Sequence, residues 1–242
     1  MTLAYPDKEL FAVNGHAVVK DVFNAAELSA ILAAIADADK TNNTFRKTDA
    51  LFAIRQVLKE VPALTKLIFN ERFKAVIDNL FGDGYFVVKS IYFDKPPTSN
   101  WFVAWHQDLT ISVDKRIELN GYGPWTVKQN QLAVQPPINI LQDNFTVRIH
   151  LDDADEGNGA LKVIPGSHLK DIYRPETIDW QTEQPHTCVV GAGGVMIMRP
   201  LLMHASGRTT NNRPRKVIHI EFSRAELPHE IRWSERMDMD VF

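Results

Sequence analysis

The chain has 242 residues, enough for one domain with a sizeable core, and its 45% apolar and 24% charged residues are ordinary for a globular protein. A formal net charge of −3 gives no electrostatic footprint for nucleic acid, and no apolar run is long enough to span a membrane. The single cysteine, Cys188, excludes an intrachain disulfide and a cysteine zinc cluster. The start "MTLAYPDKEL" lacks the basic and apolar regions of a signal peptide, so a soluble, cytoplasmic protein in a reducing compartment is expected.

Residues 1–84 read as mainly helical. "NAAELSAILAAIADAD" opens with Asn24 and places Glu27 three positions on, a capping-box pattern, and Leu28, Ile31, Leu32 and Ile35 then make one apolar face. "LFAIRQVL" reads as an amphipathic helix carrying Arg55. "NERFKAVIDNLFGDG" sets Phe73, Val76, Ile77 and Leu80 on one side and ends at Gly82. After Gly84 the texture changes. "YFVVKSIYFD", "FTVRIHLDD", "ALKVIPGS", "GGVMIMRP" and "KVIHIEFS" are short, β-branched or aromatic, and bounded by turn residues. Residues 101–144, with Pro124, Trp125, Pro136 and Pro137, read as a long loop of the kind that walls an active site. The expectation is one domain over 1–242. It is an α+β chain, mainly β, with an antiparallel barrel or jelly roll over 85–223 and N-terminal helices packed against it.

"WHQDL" places His106 and Asp108 on one face of a strand end and turns Gln107 away. An imidazole and a carboxylate so placed can bind a divalent metal from one side. Two histidines and one carboxylate with three open positions form the facial triad of non-haem iron oxygenases. H-x-D alone is weak, and a second copy occurs at His150 and Asp152 in "RIHLDD". For the third ligand, "MRPLLMHASGR" presents His204 after an apolar strand, and eleven positions later Arg215 opens the next one. A histidine for the metal followed by a fork-shaped cation suits a dicarboxylate co-substrate such as 2-oxoglutarate, whose one end chelates the metal while the other needs a charged partner.

"YFDKPP", "WHQDL", "NGALKVIPGSH" and "RPLLMHASG…RK", in that order and spacing, resemble the phytanoyl-CoA dioxygenase-like family over roughly Tyr85 to Phe222. The resemblance implies a double-stranded β-helix and Fe(II)- and 2-oxoglutarate-dependent oxidation. By that resemblance His106, Asp108 and His204 match the iron ligands, Arg215 matches the residue on the distal carboxylate of 2-oxoglutarate, and Ser206 matches a hydroxyl that assists it. His150 and Asp152 then fall before a structural turn and are not the metal pair.

Other residues stay open at this stage. Arg148 shares a strand face with His150 and Asp152. It either enters the barrel, where it could hold 2-oxoglutarate or an acidic substrate, or belongs to a solvated stripe. Lys89 and Arg55 are further co-substrate candidates, with surface positions as the plain alternative. Trp101, Trp105 and Trp125 are either core or a wall for substrate. His219 and Glu221 alternate with Ile218, Ile220 and Phe222 and read as the outward polar face of a half-buried strand. His16, His186 and His229 lack partners at ligand spacing and read as surface residues, His168 as a turn residue, and Cys188 as a small buried hydrophobe. The function expected is hydroxylation of a small-molecule metabolite with O₂, releasing succinate and CO₂, with no nucleic-acid or membrane partner. The alternative is a cupin-like metal-binding protein or isomerase that does not use 2-oxoglutarate. No Lys/Arg cluster suggests a groove for coenzyme A. Asp108 disfavours a halogenase, which needs a small residue there.

Overall fold

A computed structural model describes residues 4–38, 42, 44–48, 51–128 and 131–239. Residues 1–3 and 240–242, the ends of the expected domain, lie outside the described residues. The chain begins with α1 (Lys8–Asn14), β1 (His16–Val19) and α2 (Ala25–Ala36). Asn24 caps α2 in a reciprocal capping box with Glu27, as the sequence pattern requires. Strands β2 (Phe45–Thr48) and β3 (Leu51–Arg55) follow, then α3 (Val57–Glu60), α4 (Ala63–Ile68) and α5 (Glu71–Phe81), whose Asn70 accepts from the Phe73 amide.

One expectation is corrected here. "LFAIR" is a strand, because its backbone groups pair with β2 on one side and the next strand on the other, so Arg55 sits at a strand end rather than on a helix surface. The N-terminal part is therefore not only helical: β1, β2 and β3 all join the main sheet.

The remaining elements are β4 (Phe86–Lys95), β5 (Val103–His106), β6 (Ile111–Val113), β7 (Trp125–Lys128), β8 (Gln131–Val134), α6 (Ile138–Asp143), β9 (Phe145–His150) and β10 (Leu161–Val163). They are followed by β11 (His186–Thr187), β12 (Val195–Met198), β13 (His204–Ser206), β14 (Arg215–Ser223) and β15 (Met237–Asp238). Residues 101–144, read as a long loop, hold β5, part of the iron-motif strand, and an antiparallel sheet in the order β6-β8-β7. Its strands are too short for a clear alternation, which is why the sequence hid them.

The large sheet runs β1-β12-β9-β14-β4-β3-β2, with β15 also paired to β4, and the small sheet runs β11-β10-β13-β5. Together they form the jelly roll. One face of the large sheet meets the helices: Phe145, Val147 and Ile149 of β9 and Ile218, Ile220 and Phe222 of β14 share a core with Ile31, Leu64, Phe73 and Ile77. Phe145 is stacked between Phe81 and Phe222, with ring centroids at 3.7 and 4.8 Å. The other face of the same strands points into the roll. Strand alternation therefore sends Arg148, His219 and Glu221 inward. The expectation that His219 and Glu221 face solvent is overturned: they are 7% and 8% exposed, because the face opposite the helices lines the cavity inside the roll. Among the described residues no helix is long and apolar enough to cross a membrane.

Candidate active site

The small sheet places the metal motif. His106 at the end of β5 is the register partner of His204 at the start of β13. Their rings lie 4.2 Å apart. The chain then turns, and the Asp108 amide donates to the Pro200 carbonyl at 2.9 Å. Gln107 points away and ties this turn down, donating to the Asp171 carbonyl at 2.9 Å and accepting from the Tyr173 amide at 2.8 Å.

The two histidines are oriented alike. His106 Nδ1 donates to the Ala104 carbonyl at 2.8 Å, and His204 Nδ1 donates to the Leu202 carbonyl at 2.9 Å. A carbonyl only accepts, so both protons sit on Nδ1 and both lone pairs on Nε2. Each Nε2 lies 3.7 Å from a different oxygen of Asp108. One ligand atom from each of the three residues falls within 4.8 Å of the others. Burial pushes the His204 imidazole down to about 4. Burial alone would raise the Asp108 carboxyl, but His204, Lys89, His219 and His106 hold it well below the usual carboxylate range. Two imidazoles and a carboxylate are the donor set that a divalent iron takes, so the residues fit the metal.

A cavity of about 250 Å³ opens in front of this trio, lined from the sheets by Lys89, Arg148, Arg215 and His219 and nearer its mouth by Arg46 and Arg55. Arg215 is 3% exposed. Its Nη2 donates to Ser206 Oγ at 3.3 Å, while Ser206 in turn donates to the Gly159 carbonyl at 2.8 Å. Nε and Nη1 of Arg215 are buried without a protein partner. A buried guanidinium with unpaired donors calls for an anionic partner such as a carboxylate. Burial, and then repulsion from Arg148, lower the Arg215 guanidinium to about 9.

A second, unforeseen network lies beside the metal trio. Arg148 Nη1 donates to His219 Nδ1 at 3.1 Å. His219 Nε2 must therefore carry the proton, which it gives to Glu221 at 3.1 Å. Lys89 donates to the same Glu221 oxygen at 2.7 Å. Burial is the main cause that lowers His219, so it stays neutral here. Register lines up the row Arg55–Ile91–His219–Arg148 across four strands. The open alternative for Arg148 thus resolves inward, and Lys89 and Arg55 also reach the cavity.

The three tryptophans separate. Trp101 lines the cavity and stacks on Phe93 at 6.2 Å. Trp105 instead packs with Tyr173, Ile164 and Met203 and against Trp180, and Trp125 packs in the core around β6 and β8, so neither is part of the cavity wall. His150 is buried with both ring nitrogens unpartnered and stands apart from the trio, while Asp152 pairs with Lys216 at 3.1 Å. The sequence offered no cluster of cations because Arg46, Arg55, Lys89, Arg148 and Arg215 come from separate strands and meet only in the fold. His16 and His186, read as unpartnered, are also brought together, with ring centroids at 5.4 Å.

A jelly roll that turns two imidazoles, a carboxylate and a buried arginine into one cavity is the architecture of the non-haem iron oxygenase fold. The phytanoyl-CoA dioxygenase (PhyH) family profile matches residues 11–217, and the chain belongs to that family. Iron and 2-oxoglutarate are the cofactors that go with it. Among solved structures, the chain is similar to the non-haem α-ketoglutarate-dependent carbocyclase SnoK from nogalamycin biosynthesis, at 16% identity over 94% of this chain and 85% of that one, with a TM-score of 0.66. EctD from S. alaskensis, solved with 2-oxoglutarate and 5-hydroxyectoine, is 19% identical over 89% of this chain and 74% of that one, with a TM-score of 0.67. AviO1 from Streptomyces viridochromogenes Tue57 is 19% identical over 93% of this chain and 98% of that one, with a TM-score of 0.64. At these identities the likeness is one of fold. No curated protein matches.

Proposed function

We propose that this chain, acting as a single domain, is an Fe(II)- and 2-oxoglutarate-dependent oxygenase that hydroxylates a small-molecule metabolite bearing an anionic group. In this reading His106, Asp108 and His204 hold the iron, and Arg215, positioned by Ser206, holds the distal carboxylate of 2-oxoglutarate. The single observation behind it is the pair of Nε2 atoms, each 3.7 Å from one oxygen of Asp108, beside a buried arginine with two unpartnered N–H groups. When bound, iron with 2-oxoglutarate supplies O₂ activation coupled to decarboxylation, which releases succinate and CO₂. The chain's own work is to bind and orient. Trp101 and Phe93 screen the cavity from water, and the His219–Glu221–Lys89 network fixes Arg148.

The charge balance of the cavity supports an anionic substrate: Arg46, Lys89, Arg148 and Arg215 outnumber Asp108 and Glu221 among its lining groups. A volume of about 250 Å³ favours a small molecule over a whole acyl-coenzyme A. A cupin-like protein or isomerase that ignores 2-oxoglutarate leaves the buried Arg215 fork unexplained. The test is succinate formation from 2-oxoglutarate with a panel of carboxylated, phosphorylated and neutral metabolites. An anionic compound that raises turnover above the uncoupled background, with its hydroxylated product, is the expected result. Stimulation by neutral compounds alone overturns the substrate class, and failure to consume 2-oxoglutarate under any condition overturns the oxygenase reading.

A further inference from the structure

Away from the main cavity, His16, His186 and Cys188 converge at one edge of the jelly roll. One ligand atom from each lies within 4.8 Å of the others, and none of the three lines the active-site cavity. They come from both sheets. His16 opens β1, the edge strand of the large sheet, and His186 opens β11, the edge strand of the small one. Cys188 follows β11, where its amide donates to the Leu161 carbonyl at 2.8 Å. We propose that this cluster is a second metal site, specific for a thiophilic cation of the Zn²⁺ or Cu⁺ type, that clips the edges of the two sheets together.

Three features carry the assignment. First, the donor set is two imidazoles and a thiol, which suits soft and borderline metals and discriminates against the hard cations that oxygen ligands prefer. Second, His16 is oriented as the iron-motif histidines are: its Nδ1 contacts the carbonyl two residues back, Asn14, at 3.3 Å, which leaves the lone pair on Nε2. Third, the thiol is backed by soft, apolar neighbours. Cys188 is 1% exposed and packs with Met196, Met198 and Val190. His16 is half-buried and His186 exposed, so the cation has an entry path and a solvent position for a fourth ligand.

A tetrahedral zinc site needs donors roughly 3.5 Å apart. Donors already within 4.8 Å close to that spacing by small side-chain rotations. His16 is ready for it: burial, opposed by the Asn14 contact and helped by His186 and His168, lowers it below its ordinary value. The thiol is not pre-ionised, since burial pushes it up to about 12. Binding therefore breaks the S–H bond, forms the S–metal bond and releases one proton to solvent. His168 is a neighbour but not a donor. Its Nε2 is on the Ala12 carbonyl at 3.1 Å, and its ring fills the space where a side chain on Gly15 would be.

The experiment uses the full chain, stripped of metal by chelation. Because the iron trio also accepts Zn²⁺, the background is His204→Ala. That chain is expected to bind about one Zn²⁺, and its Co²⁺ form to show a sulfur-to-cobalt charge-transfer band in the near ultraviolet. Cys188→Ser in the same background should lose the band. His186→Ala, an exposed change that leaves the core intact, should weaken Zn²⁺ binding at least about tenfold. Competition with zinc- and copper-selective chelators tells which cation the site retains, and either one fits the proposal. It is overturned if the His204→Ala chain binds neither Zn²⁺ nor Cu⁺, or if the cobalt band survives Cys188→Ser.

Discussion

Arg215→Ala is the change that most directly separates an oxygenase from other metal-binding jelly rolls. The side chain is 3% exposed, Nη2 is on Ser206, and Nε and Nη1 have no protein partner, so donors remain for a carboxylate. Removing one partner of a desolvated ion pair costs roughly 2–5 kcal/mol, or about 30- to 5,000-fold in affinity. The structure narrows this range. Lys95 is the register partner of Arg215, is 1% exposed, and donates to the Gly207 carbonyl at 2.6 Å. Burial, and then repulsion from Arg215, hold its ammonium down to about 8. Deleting Arg215 removes that repulsion and leaves a fuller point charge close by. Lys95 thus covers part of the loss, and the expected weakening of 2-oxoglutarate is about 30- to 300-fold. Arg215→Ala combined with Lys95→Met should fall in the upper part of the wider range. Isothermal titration with 2-oxoglutarate, under anaerobic conditions on the Fe(II)-loaded chain, measures this. Iron affinity should stay within about threefold, since a guanidinium is not a ligand. Lys216→Ala and Arg213→Ala are controls: Lys216 pairs with Asp152 at 3.1 Å, and Arg213 faces Asp155 at 3.6 Å on the outside. If Arg215→Ala binds 2-oxoglutarate like wild type while Arg148→Ala does not, the anchor is Arg148 and the assignment of the fork is wrong.

His204→Ala should weaken Fe(II) binding by at least about 100-fold with an unchanged far-ultraviolet circular dichroism spectrum, and wild-type iron affinity in that variant would place the third ligand elsewhere. Glu235 is fully buried, accepts from Ser90 at 2.6 Å, and burial raises its carboxyl from 4.5 to about 7. A group whose folded value lies above its unfolded one favours folding fully below the unfolded value, and that contribution is lost as pH rises through the folded value. Between about pH 4.5 and 7 the wild type should therefore lose about 3 kcal/mol that Glu235→Gln does not. Urea unfolding at pH 5 and pH 8 reads the difference, and parallel pH profiles would sink the argument. Phe145→Ala removes a ring stacked at 3.7 Å on Phe81 and 4.8 Å on Phe222. It should cost about 3–5 kcal/mol and lower Tm by roughly 6–20 °C, and a shift within about 2 °C would mean the helix layer is not held by this stack.

The sequence disclosed what is local. The Asn24 capping box, the helix of "NERFKAVIDNLFGDG" and the strands of "YFVVKSIYFD" and "KVIHIEFS" each follow from residues a few positions apart. The meeting of His106, Asp108 and His204 was legible because both histidines carry strand context and the family spacing connects them. What depends on which face a neighbour covers was not legible. Alternation in "KVIHIEFS" separates His219 and Glu221 from Ile218, Ile220 and Phe222, but period alone does not say which side meets solvent. Helices α2, α4 and α5 took the apolar side, so the polar side became the cavity wall. Arg55 was misplaced for a related reason. "LFAIRQVL" has six apolar residues in eight, which suits a buried strand as well as a helix, and its pairing partners lie more than thirty residues on in β4. His16 and His186 are brought together only by sheet edges far apart in sequence, and no local spacing could announce them.

The inner face of the roll has a charge logic that single residues do not reveal. A buried Lys–Glu pair such as Lys89–Glu221 contributes little to stability once desolvation is counted. Its effect here is on its neighbour. Glu221 takes the Nε2 proton of His219, so His219 can only accept at Nδ1, and what it accepts is an N–H of Arg148. Arg148 is therefore held in direction by a neutral ring rather than by a carboxylate. Its position is fixed without an ion pair of its own, Asp108 acts on its charge from nearby, and its Nε is still without a partner. A carboxylate at position 219 would hold the arginine equally well but would cancel the field it projects past Asp108 into the cavity. With histidine there, the sheet keeps two buried guanidiniums, Arg148 and Arg215, facing the same space. In the proposed reading one of them anchors 2-oxoglutarate and the other meets the anionic group of the substrate.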